Sequence, residues 1–131
     1  MQGISAGDTA FVLMCTALVC MMTPALALFY GGLVRQRDML SIMIQNFVCI
    51  GVVGLIWVFG GFSLAFGPDI GGIIGSIGTY FGMYHVGIEP NPTYAASVPF
   101  MLVFAYQMMF AIITPALMTG AFVGRFRFGA Y

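Results

Sequence analysis

Residues 10–30 read AFVLMCTALVCMMTPALALFY, a run of 21 residues without a charge. Wound as an α-helix at about 1.5 Å per residue, it reaches roughly 31 Å, the thickness of the hydrocarbon core of a bilayer. Asp8 and Thr9 precede it and can cap it, and Pro24 inside it is a kink of the kind membrane helices tolerate. Gly31 and Gly32 close the run. Two further uncharged runs follow, Leu40 to Phe66 and Val98 to Val123. The chain therefore reads as an all-α membrane protein with three transmembrane helices, at about 10–30, 40–66 and 98–123. In the second run Gly51, Gly54, Gly60 and Gly61 could admit another backbone closely. Trp57, the single tryptophan, carries no assigned role. In the third, Ser97 is placed to cap and Pro99 to fill the first turn, while Pro115 takes away the donor to the Ala111 carbonyl.

Composition supports the same class. The chain is 61% hydrophobic and 6% charged, with a mean hydropathy of +1.04, whereas soluble domains carry about a quarter charged residues. Lysine is absent and the net charge is zero, so the basic footprint that nucleic acid requires is missing. Cys15, Cys20 and Cys49 lie inside apolar runs and read as small packing residues. No catalytic cluster, phosphate loop or metal-ligand spacing is visible, so neither an enzyme nor a bound cofactor is expected. The single histidine, His85, falls in the loop 67–97. That loop holds Gly67-Pro68-Asp69 and Glu89-Pro90-Asn91-Pro92, and connections of this length usually have a purpose.

The charges are sorted by side. With three crossings, Arg35, Arg37, Arg125 and Arg127 fall on one side, and Asp8, Asp69 and Glu89 on the other. The positive-inside rule then puts the N-terminus outside and the C-terminus in the cytoplasm of a multi-pass cell-membrane protein. Ala25-Leu26-Ala27 has the look of a signal-peptidase site. However, no basic residue precedes the run, and the arginines after it orient it the other way.

Three strings, one in each run, are distinctive. They are ALFYGGLVR at 27–35, GFSLAFG at 61–67 and YQMMFAIITPAL at 106–117. Together they closely resemble the N-terminal part of the ammonium transporter (Amt/Mep/Rh) family, and the likeness extends from about Asp8 to Phe128. It implies the first three helices of an eleven-helix, inverted-repeat fold, and a chain that is part of a longer protein. It also implies ammonium or ammonia as substrate, a homotrimer, and a cytoplasmic regulator of the P-II type. By the same resemblance Phe110 corresponds to the first of two gate phenylalanines, Tyr106 to an aromatic of the outer vestibule, and Leu26 and Leu117 to apolar pore-wall positions. The second gate ring, the vestibule tryptophan and serine, a structural aspartate and both pore histidines belong to later helices of that family. Arg37-Asp38 and Gly124 depart from the family pattern at the cytoplasmic rim, which bears on partner contacts more than on the pore.

The Tyr106–Phe110 pair also makes sense from its chemistry. Residues four apart share a helix face about 6 Å apart. Each ring face attracts a small cation by roughly 0.5–2 kcal/mol. That is little beside the cost of dehydrating an ion, so a dry constriction below favours a neutral species that has lost its proton. Spacing alone is equally compatible with rings that face lipid or pack between helices. Gln107 is a polar group inside a span, expected to bridge helices. Two other readings stay open: an ammonium-sensing membrane module of a signalling protein, and a small three-helix protein with a structural role.

Overall fold

The computed structural model describes residues 3–131. Helix α1 runs Ala6–Leu33 and α2 runs Gln36–Ile56. A π-helical turn, Trp57–Gly61, carries α2 without a break into α3, Phe62–Phe66. Strands β1 (Asp69–Ile70) and β2 (Ile74–Gly75) pair antiparallel, with Asp69 opposite Gly75. A 3-10 turn at Phe81–Met83 precedes α4, Phe100–Phe122.

Ala6–Leu33, Gln36–Phe66 and Phe100–Phe122 are long and apolar enough to cross a bilayer. The first two measure roughly 42 and 46 Å at the helical rise, so they tilt or emerge beyond a hydrocarbon core of about 30 Å. α1, α2 and α4 all pack against one another. The Ser5 N–H bonds the Ser97 carbonyl at one end and Tyr30 bonds the Leu117 carbonyl toward the other. α1 and α4 therefore run in the same direction, with α2 turned back against α1 by the short link between them.

The helix ends differ from the expectation in detail. Ser5, rather than Asp8 or Thr9, caps α1. Its Oγ accepts the Asp8 N–H at 3.3 Å and its carbonyl accepts the Thr9 N–H at 3.0 Å. Asp8 sits in the first turn instead, where its charge suits the helix dipole. Ser97 does not cap α4. That helix starts after Pro99, and the Met101 N–H finds the Gly87 carbonyl at 2.9 Å. The loop itself thus supplies the acceptor a cap would provide.

Close approach also occurs elsewhere than at Gly51 and Gly54, which have nothing within 4 Å of a notional Cβ. At Gly31 a Cβ would lie 3.3 Å from Met39 Cγ, and at Gly120 it would lie 3.1 Å from the Tyr30 ring. These glycines sit where α1 meets α2 and α4. Gly67 and Gly75 are obligatory for another reason: a Cβ on either would collide with the Ser63 carbonyl.

The core gathers at the loop end. In the π turn the Phe62 N–H bonds back to the Trp57 carbonyl, one residue further than in an α-helix. The extra residue rotates the following side chains by about 100°. Phe62 and Ser63 consequently point inward and are fully buried. Phe62 packs with Phe104 at 4.8 Å, Phe66 at 5.0 Å, Tyr80 at 5.4 Å and Phe100 at 5.6 Å between ring centroids. Trp57 joins this cluster, 5.6 Å from Phe62, and its Nε1 donates to the Phe104 carbonyl at 3.3 Å. Ser63 Oγ donates to the Ser76 carbonyl at 2.6 Å and accepts the Tyr80 N–H at 3.0 Å. Tyr94 donates to the Phe66 carbonyl. Burial, then its neighbours Tyr80 and Asp69, push the Tyr94 hydroxyl above its ordinary range, so it stays a donor. Between helices in lipid such packing and hydrogen bonding replace the hydrophobic drive.

Candidate functional site

On α4, Tyr106, Phe110 and Leu117 fall within about 40° of one another at 100° per residue. The Tyr106 and Phe110 rings meet edge to face, with centroids 5.1 Å apart and planes at 85°. Tyr106 is half-buried, while Phe110 is 39% exposed and Leu117 49% exposed. Phe104, about 160° around the helix from Tyr106, is only 3% exposed and belongs to the aromatic core. One face of α4 is therefore consumed by packing and the other is left open.

Below Phe110 the helix backbone is perturbed. Pro115 lies inside α4 and cannot donate to Ala111. The Thr114 hydroxyl donates to the Phe110 carbonyl at 2.8 Å, a back-bond that favours bending. Tyr30, one turn after Leu26 on α1, donates its hydroxyl to the Leu117 carbonyl at 2.9 Å. Its ring lies over Gly120.

The four residues singled out are thus brought together unequally. Tyr106 and Phe110 touch. Leu26 is half-buried on α1, and it is Tyr30, one turn further on, that bonds the Leu117 carbonyl. Tyr30 was missed as a site residue, although it stands four residues after Leu26 inside the distinctive first string. Trp57, which the sequence left without a role, belongs to the aromatic core rather than to this face.

His85 lies in the loop with a positive φ of 59°. Its Nδ1 is 3.4 Å from the Thr79 carbonyl and its ring stacks edge-on against Tyr84. Gln107 is half-buried. Among the described residues no group of histidine, cysteine and carboxylate side chains could hold a metal ion. The rings of Tyr106 and Phe110 lie on an uncharged span. Asp8, Asp69 and Glu89 stand at the end nearer Tyr106, and the four arginines at the far end. Such a face can draw a small cation by charge and ring quadrupole, and then offers it no counter-ion deeper in.

Residues 10–131 match the profile of the Ammonium Transporter Family. An ammonium transporter of Bacillus subtilis (strain 168) is 43% identical over 125 residues, covering 95% of this chain and 30% of that protein. One of Mycobacterium tuberculosis (strain H37Rv) is 41% identical over 138 residues, 95% of this chain and 29% of that protein. One of Aquifex aeolicus (strain VF5) is 42% identical over 130 residues, 98% of this chain and 30% of that protein. The chain thus spans about 30% of the length of these relatives.

Proposed function

The chain belongs to the Ammonium Transporter Family, and from that premise we propose that it contributes the outer mouth and first gate of a membrane path for ammonium and ammonia. The observation that carries this reading is the Tyr106–Phe110 ring pair on the open face of α4, with only acidic groups at the near end of the span. Tyr106 supplies a cation–π face for ammonium arriving from outside. Phe110, one turn deeper, is the constriction. Below it Leu26 and Leu117 form apolar wall. A cation held by Tyr106 gains roughly 0.5–2 kcal/mol, far less than the loss of its water shell costs. Ammonium therefore gives up its proton to water at the outer mouth, before the apolar stretch, and neutral ammonia passes. The process is transport, and that proton transfer to water is its one change of bonding.

The arginine distribution orients the chain N-terminus out and C-terminus in the cytoplasm of the cell membrane. The face bearing Phe110 and Leu117 is open on one side. In the relatives, sequence outside the matched part would close it. By family membership the assembly is a homotrimer, with a cytoplasmic regulator of the P-II type.

Uptake against ammonium concentration, at matched membrane abundance, tests the reading in the protein as its gene encodes it. Tyr106→Ala is expected to raise the half-saturating concentration. Phe110→Ala is expected to change selectivity or conduction. Wild-type behaviour of both variants would overturn the assignment of this face. Labelling of introduced cysteines in intact cells tests the orientation: a cysteine replacing Asn91 should react from outside, and one replacing Gln36 should not.

A further inference from the structure

The π turn that interrupts the second span also brings Trp57 against α4. A Cβ on Gly61, the last residue of that turn, would lie 3.2 Å from Trp57 Cε3. The indole is therefore folded over Gly61, in space that a side chain there would contest. From that position its Nε1 donates to the Phe104 carbonyl at 3.3 Å. Its ring lies 5.6 Å from Phe62, 6.2 Å from Phe66 and 6.4 Å from Phe104. Ring packing of this kind tolerates a smaller neighbour that still fills the space. A hydrogen bond to a main-chain carbonyl is directional and fixes the helix itself. The Phe104 carbonyl belongs to the turn of α4 that carries Tyr106. A side chain standing roughly 5–6 Å from the helix axis is carried about 1.5 Å by a rotation of about 15°. Positioning at a working site has to be held more closely than that.

We propose that Trp57 is a positioning residue for ammonium capture: its indole N–H, seated by Gly61, sets the rotation of α4 at which Tyr106 presents its ring to the path. The inference rests on the reading of Tyr106 as the capturing ring. Trp57 does not touch that ring's face. It grips α4 through the Phe104 main chain, on the buried side of the helix.

The test is ammonium uptake against concentration by the protein as its gene encodes it, at matched membrane abundance, with the thermal midpoint in detergent alongside. Trp57→Phe keeps an aromatic ring and removes the donor. It should raise the half-saturating concentration about threefold and leave the maximal rate nearly unchanged. Gly61→Ala keeps the donor, displaces the indole and should move the half-saturating concentration the same way. Phe62→Leu is the packing control, expected to lower the thermal midpoint without that change in uptake. In a Tyr106→Ala background, Trp57→Phe should add nothing to the half-saturating concentration, because no ring is left to aim. Full additivity in the double variant would overturn the proposal, since Trp57 would then act elsewhere. So would an equal rise in Phe62→Leu, which would reduce the effect to packing. Wild-type affinity in Trp57→Phe, with Tyr106→Ala impaired, would overturn the positioning role alone. Wild-type affinity in Tyr106→Ala would overturn the reading of the ring and the positioning role with it.

Discussion

Phe104 and Tyr106 stand two residues apart on α4, yet their rings meet opposite fates. The Phe104 face is sealed into an aromatic core with Trp57, Phe62 and Phe100. The Tyr106 face carries two rings that touch each other, Tyr106 half-buried and Phe110 39% exposed. Residue type does not separate them, since both faces are aromatic and uncharged. Partnership does. The core face meets a π turn that pushes Phe62 toward it and a loop that lays Tyr80 and Tyr94 over it. Nothing from the described residues covers Phe110 to the same degree. The core face accordingly serves stability, and the open face is the one proposed to meet the substrate.

The largest effect that would break this contrast concerns closure. Residues 1–131 expressed alone in a transporter-null strain should give no ammonium-dependent growth, because the Phe110–Leu117 face remains open and a constriction needs walls on every side. Growth above the empty-vector level would show that the three helices enclose a path themselves. Next is Phe62→Ala, which removes the ring at the centre of the buried cluster. It should cost about 3–5 kcal/mol, read as a lower thermal midpoint in detergent and reduced membrane abundance, with the half-saturating ammonium concentration of the surviving protein little changed. Ser63→Ala comes third. It strips the Tyr80 N–H of its acceptor and the Ser76 carbonyl of a donor, for about 1–3 kcal/mol on the same thermal measurement.

Tyr106→Ala should do the reverse of Phe62→Ala. It should leave the thermal midpoint nearly in place and raise the half-saturating concentration roughly fivefold, the equivalent of about 1 kcal/mol. If it instead lowers stability as much as Phe62→Ala and leaves uptake affinity alone, the two faces have been assigned the wrong way round. The smallest effect belongs to Phe11→Leu, on an exposed stretch of α1. It should shift neither readout beyond about 0.5 kcal/mol, which sets the background for the others.

The sequence by itself determined what depends on sums and on short spacing. Three uncharged runs required three spanning helices, because an unpaired backbone cannot sit in lipid. All four arginines fell at one end once the runs were counted, and Asp8, Asp69 and Glu89 at the other, with Asp38 alone among the acids on the arginine side. Tyr106 and Phe110 had to share a face, since four residues make little more than one turn. The family likeness rested on strings read directly from the chain. Only the tertiary structure decided the rest. Asp8 was a reasonable cap by composition, but Ser5 took the role because α1 starts several residues before its apolar run. The buried positions of Phe62 and Ser63 follow from the π turn at Trp57–Gly61, which no residue preference encodes. Tyr30 came to lie beside Leu117 by bonding a carbonyl 87 positions away. Such contacts join segments distant in sequence, and their energy exists only after the helices have packed.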